Sequence, residues 1–206
     1  MNRLKSGEFQ AAFEDFERAR VLNPSFELTE LNRATALARL GRAEEAAAIL
    51  QTLVKENPSR LNPRRQLASL YSRQKKYDQA ISIYRDILSE RPGDAQAAKL
   101  LGVAEVDAGR YKEGSASLEN AITLGASDAL AYNSLGIAQS NLGKAQEGIT
   151  SYRKALSIKG DYHQARLNLS FALLKTGQAD EARAEFDRLC RENAALCQQY
   201  RSYFPK

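Results

Sequence analysis

Glycine recurs at a spacing of 34 residues along this 206-residue chain. The column holds five glycines and one lysine: Gly7, Gly41, Lys75, Gly109, Gly143 and Gly177. No insertion interrupts the register between the first position and the last. A repeat of this length is typical of stacked helix hairpins, because one hairpin is too small to bury its own apolar face. The period therefore predicts an all-α solenoid.

Other columns of the same period describe the second helix of each hairpin. A small residue follows the glycine column by five positions and a large apolar residue comes four later, as in Ala46 and Leu50. Residues four apart share one face of a helix. Proline then occupies a turn column at Pro24, Pro58 and Pro92. Since proline has no amide to donate, it suits the turn that ends the helix.

The first helix of each hairpin carries a leucine followed by a small residue. These pairs are Leu67-Ala68, Leu101-Gly102, Leu135-Gly136 and Leu169-Ser170. Together the columns resemble the tetratricopeptide repeat, whose pattern places Leu-Gly, an aromatic residue, Ala, Phe and Pro at these spacings. The resemblance covers residues 1–196. It implies a right-handed superhelical solenoid of antiparallel helix hairpins that holds another protein.

The register also divides the chain into predicted repeats. Five complete repeats are predicted at 27–60, 61–94, 95–128, 129–162 and 163–196. Residues 1–26 form a partial repeat, mainly its second helix from about Glu8 to Leu22. Residues 197–206 are predicted to be a capping helix and tail, since apolar residues continue at helical spacing and polar residues lie between them. These apolar residues are Leu196, Tyr200, Tyr203 and Phe204, with Pro205 closing the segment.

Met1 falls in the middle of a repeat. We therefore expect the chain to come from a larger protein, the alternative being a degenerate native start. Phe9, Phe13 and Phe16 lie on a helix that would lack most of its hairpin partner. A partly exposed apolar patch marks a contact surface, which predicts self-association through this end or a frayed first helix. The alternative is that residues Asn2 to Ser6 form enough of a helical turn to cover the phenylalanines.

Composition and charge narrow the classes of function. No run of about 18 apolar residues is present, so no membrane span is predicted. The net charge is +5, with 17 basic against 13 acidic residues in positions 1–103. The basic side chains cluster in repeat 61–94, at Arg64, Arg65, Arg73, Lys75 and Lys76. A nucleic-acid binder would show a longer basic stripe with interleaved aromatics, so this class is not favoured.

The resemblance implies that the first helices line a concave groove in which ligands lie. The predicted peptide-groove residues are Arg65, Ser69, Lys99, Val103, Asn133, Ile137, Asn141, Asn168 and Phe171. Two cations, Arg65 and Lys99, share one inward column, and the apolar members lie toward the C-terminus. Such a groove suits an extended or helical peptide with an acidic group and apolar anchors. The alternative for the apolar members is packing between neighbouring hairpins.

The sequence predicts no catalytic, cofactor or metal site. His163 is the single histidine, so a triad or a multi-histidine metal site has too few members, and we interpret it as an exposed helix-start residue. No GxxxxGK phosphate loop occurs. Pairs of carboxylates such as Glu44-Glu45 suit the first turn of second helices, where the helix dipole favours negative charge.

Cys190 and Cys197 are seven residues apart and leave three alternatives open. On one unbroken helix their Cα atoms would be about 10 Å apart, too far for a disulfide. A turn at Asn193-Ala194, expected from the register, would shorten this distance. The alternatives are a disulfide, two free or buried thiols, and a metal site. A disulfide would indicate an oxidising compartment such as the periplasm.

These observations favour a non-catalytic scaffold that binds a peptide or partner protein in its groove, as part of a larger bacterial protein or assembly. The alternative is a recruiting or regulatory repeat domain fused to an enzyme whose catalytic part lies outside this chain. The sequence leaves both cytoplasm and periplasm open as compartments.

Overall fold

The structure is a computed structural model that describes residues 2–22 and 27–204. The predicted turn residue Pro24 and the closing Pro205 lie outside the described residues. Within the described part of the chain every regular element is a helix. The chain forms two compact units, Met1–Ile87 and Leu88–Lys206, and each is considered separately below.

The described residues of the first unit are helical apart from short connecting segments. The helices are α1 (Asn2–Lys5), α2 (Phe9–Leu22), α3 (Glu27–Arg39), α4 (Ala43–Glu56), α5 (Leu61–Arg73) and α6 (Tyr77–Glu90), the last of which runs past Ile87 into the second unit. Helix α2 packs on α3, α3 on α4, and α4 on α5. Its core holds large apolar side chains that are almost fully buried, including Leu37, Leu50, Ile81 and Tyr84.

The second unit contains three hairpins and a capping segment. Its helices are α7 (Ala95–Asp107), α8 (Tyr111–Thr123), α9 (Ala129–Asn141), α10 (Ala145–Ile158), α11 (His163–Lys175), α12 (Ala179–Glu192) and α13 (Ala194–Tyr200), followed by a 3-10 turn (Arg201–Tyr203). The pairs α7/α8, α9/α10 and α11/α12 pack as hairpins, and α7 contacts α9, which contacts α11. The predicted all-α architecture of stacked helix hairpins is confirmed.

The glycine column forms the turn inside each hairpin. Gly41, Gly109 and Gly143 have φ of 80°, 77° and 81°, and Lys75 adopts φ 60° in the same slot. In that left-handed conformation the next amide bonds back to the preceding helix, as where Lys76 N donates to the Tyr71 carbonyl at 2.9 Å. This conformation is strained for a residue with a Cβ atom. Position 75 therefore differs from the rest of its column in residue type but has the same backbone conformation.

The small residues of the Leu-small pairs allow two helices to approach closely. A Cβ atom on Gly102 would lie 2.6 Å from Leu118 Cγ on α8. A Cβ atom on Gly136 would lie 2.6 Å from the ring of Tyr152 on α10. In these two hairpins of the second unit the two helices therefore approach more closely than a residue with a Cβ atom would allow.

The phenylalanines of α2 are half-buried. The guanidinium of Arg39 lies 5.9 Å from the ring centroid of Phe9, and that of Arg42 lies 4.9 Å from that of Phe13. Cations over ring faces cover part of the aromatic surface and keep their charge in water. Self-association through this surface stays a prediction.

The capping segment begins earlier than residue 197. Helix α13 starts at Ala194 because the Asn193 side chain accepts the Leu196 amide at 3.0 Å and caps the helix. The helix ends at Tyr200, and the 3-10 turn that follows directs Phe204 into the core, whereas Tyr203 remains 59% exposed. The segment therefore covers the last hairpin mainly through Leu196, Cys197, Tyr200 and Phe204.

Candidate functional site

The first helices of the second unit carry one apolar side chain at the same position of each repeat. These residues are Val103 on α7, Ile137 on α9 and Phe171 on α11, and we call them the apolar row. All three are half-buried. Val103 and Ile137 pack against one buried cluster, and Ile137 and Phe171 pack against the next. The row is therefore continuous across three hairpins and leaves part of each side chain accessible.

The capping segment extends this row with two tyrosines. The ring of Phe171 meets Tyr200 with centroids 5.8 Å apart and Tyr203 with centroids 5.5 Å apart, both nearly perpendicular to it. We call these three residues the aromatic end. The sequence predicted Tyr200 and Tyr203 only as parts of the capping helix and tail. The available signal was the density of aromatic residues after position 199.

Amide side chains beside the apolar row are bonded to one another. Asn168 Nδ2 donates to Asn133 Oδ1 at 3.0 Å, and Gln164 Nε2 donates to Asn168 Oδ1 at 3.1 Å. Burial raises the pKa of Tyr162, and the carboxylate of Asp128 raises it further, while a hydrogen bond with Asn133 acts in the opposite direction. The hydrogen bond between Asn133 and Asn168 links α9 to α11, so these two asparagines act first as structural links.

Asn141 differs from the other two groove asparagines because it is exposed. Its Nδ2 donates to the carbonyl of Ile137, one turn earlier on α9, at 2.8 Å. Its side chain therefore lies directly beside the apolar row.

Lys99 is buried and forms an ion pair with Asp128. Asp128 also caps α9, since its side chain accepts the Ala131 amide at 2.9 Å. Burial opposes the charged form of this carboxyl, but hydrogen bonds from Lys99 and Ala131 outweigh it and lower the pKa of Asp128. Lys99 thus joins α7 to the start of α9, and its charge is already neutralised within the unit.

Arg65 and Ser69 lie on α5 in the first unit, whereas Lys99 and the other predicted groove residues lie in the second. Arg65 is half-buried and Ser69 is exposed. Burial raises the pKa of Tyr84 in the same unit, and the positive charge of Arg65 partly opposes this rise. A shared cationic centre of Arg65 and Lys99 stays a prediction of the sequence.

Two polar contacts inside hairpins of the second unit, one buried and one partly buried, were not predicted from the sequence. Ser117 donates to Glu105 at 2.6 Å and Ser151 donates to Gln139 at 2.7 Å, each linking the two helices of one hairpin. The donors are one 34-residue period apart, and so are the acceptors. That shared phase was the signal, because a polar residue repeated at a core position needs a partner.

His163 lies at the start of α11, as predicted, but is partly buried rather than exposed. Its Nδ1 is 3.5 Å from Glu192, and its side chain is 30% exposed. Beside it the buried Arg166 pairs with Glu185 at 2.8 Å and with Glu192 at 3.2 Å. The guanidinium of Arg166 also donates to the Gly160 carbonyl at 2.5 Å. The group ties α11 to α12 and to the preceding turn.

The two cysteines are joined by a disulfide in the structure, with Sγ atoms 2.10 Å apart and Cα atoms 4.6 Å apart. The short Cα distance arises because α12 ends at Glu192 and Asn193 is extended, with φ of −147°. The bond links α12 to α13. Among the described residues no group of three or more His, Cys, Asp and Glu side chains is placed to hold a metal ion.

No helix within residues 2–22 and 27–204 is both long enough and apolar enough to cross a membrane.

Comparisons with known proteins give one consistent family. The family model described as "Psidin, N-terminal TPR repeats region" matches residues 2–120. Two models described as "Tetratricopeptide repeat" match residues 102–163 and 141–202. None of the curated proteins matches the chain.

Solved structures similar to this chain share its fold at low sequence identity. A MamA fragment from Desulfovibrio magneticus RS-1 has a TM-score of 0.72 and 21% identity, covering 81% of this chain and 94% of its own. TTC0263 from Thermus thermophilus has a TM-score of 0.68 and 20% identity, covering 86% and 96%. YrrB, described as a TPR protein with an unusual peptide-binding site, has a TM-score of 0.62 and 22% identity, covering 72% and 76%. The chain belongs to the tetratricopeptide repeat family.

Proposed function

We propose that this chain is a non-catalytic protein-interaction scaffold whose second unit binds a peptide segment of a partner across α7, α9 and α11. The observation that carries the proposal is the apolar row, continuous across three hairpins and partly accessible at each step. Packing between hairpins requires only the buried part of each side chain. Apolar surface that stays accessible in a continuous patch is typical of an interaction site.

Apolar anchors supply most of the binding energy in this proposal. Complete burial of a side chain such as Ile or Phe contributes about 1.5–3 kcal/mol, and part of that remains to be gained at each member of the row. The neighbouring polar groups contribute less, because Asn133, Asn168 and Lys99 already have partners within the unit. Asn141 is exposed beside the row and is available to the backbone of a bound peptide.

Support also comes from the family. YrrB is described as having a peptide-binding site, and its fold is similar over 72% of this chain. We carry over only the class of ligand and none of the residues, since identity is 22%. The proposal assigns no reaction to the face.

A random peptide display library selected on the whole chain tests this function. Selected peptides should bind the wild-type chain and lose about fivefold or more in affinity when Ile137→Ala removes part of the row. The matched control is Ile158→Ala, because Ile158 is an isoleucine at the end of the second helix α10 and is 47% exposed. Circular dichroism melts check that both variants fold. Peptides that bind Ile137→Ala as tightly as wild type would place the binding surface elsewhere and contradict the proposal.

A further inference from the structure

We infer that the segment bound on the apolar row is a proline-rich chain in the polyproline II conformation, with an apolar residue at every third position. This inference rests on the proposed function and names the class of ligand. Three features of the second unit carry it: the spacing of the row, the aromatic end and the pairing of the nearby charges.

The spacing of the row favours a ligand with a repeat of about 9 Å. Helices α7, α9 and α11 contact one another in order, and each contributes one member of the row. Packed helices lie about 8–10 Å apart, so successive members are separated by about this distance. A polyproline II chain rises about 3.1 Å per residue with three residues per turn, which returns a side chain to the same face about every 9.3 Å.

Other backbone conformations match the row less well. A β-strand presents side chains on one face about every 6.7 Å, so its anchors would drift out of register between α7 and α11. An α-helix returns to one face about every 5.4 Å, and meets successive members of the row only with residues two turns apart. The polyproline II chain places one anchor on each repeat with no unused turn between them.

The aromatic end supplies the surface that proline-rich segments recognise. Phe171, Tyr200 and Tyr203 lie within 6.4 Å of one another by ring centroid, and Tyr203 is 59% exposed. Proline-rich segments dock on aromatic-lined grooves because their backbone is already extended and costs little entropy to order. Proline removes backbone donors and leaves carbonyl acceptors, to which the hydroxyl of the exposed Tyr203 is suited to donate.

The charges beside the row favour an uncharged segment. Lys99 is paired with Asp128 and is buried, so its ammonium group does not require an acidic group from the ligand. The amides of Asn133 and Asn168 are bonded to each other. A ligand that offers apolar side chains and backbone carbonyls therefore matches the groups that remain available on this face.

Two synthetic nonapeptides of identical composition test the inference. Both contain three leucines and six prolines. In one the leucines stand at positions 1, 4 and 7, and in the other at positions 1, 3 and 5. Both peptides form polyproline II chains in water, so only the anchor spacing differs. Titration into the isotopically labelled whole chain, followed by NMR, should give a Kd about fivefold or more lower for the first peptide, with the largest shifts at Val103, Ile137, Phe171 and Tyr203.

Variants at the aromatic end provide a second measurement. Tyr203→Ala should weaken binding of the first peptide about fivefold because apolar area is lost, and Tyr203→Phe should retain most of the affinity because it keeps the ring. Ile158→Ala serves as the control and should leave the Kd unchanged. Since Tyr203 is largely exposed, neither substitution at this position removes core packing.

Equal affinity for the two peptides, no binding of either, or an unchanged Kd in Tyr203→Ala would overturn the inference. The display selection separates this failure from failure of the proposed function. If selected peptides depend on Ile137 but lack apolar residues at every third position, the binding face stands and the ligand class is wrong. If they do not depend on Ile137, both proposals fail.

Discussion

The ring of Phe204 lies almost parallel to that of Phe186, with centroids 4.1 Å apart and an interplanar angle of 11°. Phe186 belongs to α12, whereas Phe204 follows the 3-10 turn after α13. The stacked pair anchors the end of the capping segment to the last hairpin, and the Cys190–Cys197 disulfide anchors its beginning. The aromatic end is therefore held from both sides.

We predict that reducing the disulfide destabilises the capping segment. A crosslink that closes so short a loop contributes about 2–3 kcal/mol in the chain-entropy model. Thermal melts with and without dithiothreitol should show a lower Tm in the reduced chain. The variant carrying both Cys190→Ser and Cys197→Ser should melt at the lower temperature and not respond to the reagent. Equal melting temperatures for oxidised wild type and this variant would contradict the prediction. Mass spectrometry after thiol alkylation measures the fraction of wild-type chains in which the disulfide is formed.

Lys75→Gly should stabilise the chain. Lys75 has a φ of 60°, a conformation that costs a residue with a Cβ atom about 1–2 kcal/mol. Glycine avoids this cost, but it also makes the unfolded chain more flexible, which offsets part of the gain in stability. We expect a net gain of about 0.5–1 kcal/mol, measured by urea denaturation. The reciprocal control is Gly143→Lys, at a φ of 81° in the equivalent slot, which should lose stability. A loss in Lys75→Gly would show that its side chain contributes more than its backbone conformation costs.

Gly136→Ala should destabilise the second unit. The added Cβ atom would lie 2.6 Å from the ring of Tyr152, which is 3% exposed and has little room to move. Overpacking of this kind costs about 1–3 kcal/mol, and the better helix propensity of alanine returns up to about 1 kcal/mol. Gly93→Ala is the control, since no atom lies within 4 Å of its added Cβ, and should be close to neutral. Urea denaturation of both variants tests this prediction. A Gly136→Ala variant that is as stable as wild type would show that the two helices separate easily.

Asp128→Asn should lose stability at neutral pH, and the loss should shrink in acid. Asparagine can still cap α9, but the buried Lys99 loses its counter-charge, at a cost of about 1–3 kcal/mol. The pKa of Asp128 is lowered in the folded state, so its contribution is complete above the usual Asp pKa of about 3.9 and disappears as the pH falls through the lower folded value. Urea midpoints of wild type and variant should converge as the pH falls from about 5 through the lowered pKa of Asp128. A difference that stays constant over this range would exclude the ion pair as its cause.

The half-buried phenylalanines of α2 predict concentration-dependent self-association of the chain. Sedimentation velocity over a range of concentrations measures it. Replacing Phe9 and Phe13 by serine should shift the distribution toward monomer, because both rings retain accessible surface. The control is Val21→Ser, on the same helix and 76% exposed. Monomeric wild type at all concentrations would refute the prediction.

Much of the hairpin architecture followed from the sequence because its determinants are local. Apolar residues spaced by three or four positions define a helix face, and a fixed slot for glycine defines the left-handed residue that ends the first helix. Lys75 adopts the same conformation as the glycines of its column, which shows that the period, and not the single residue, sets the turn.

The sequence by itself therefore determined the all-α class, the hairpin turns and the residues on the first-helix face. Only the tertiary structure decided which of them have partners. Lys99 and Asp128 are 29 residues apart and meet because α7 and α9 lie side by side. Phe171 meets Tyr203 because the helix is interrupted at Asn193 and ends at Tyr200, which turns the following residues back. The repeat spacing fixes the position of each residue on its helix. The partner of its side chain depends on the packing of neighbouring helices, which a single repeat does not contain.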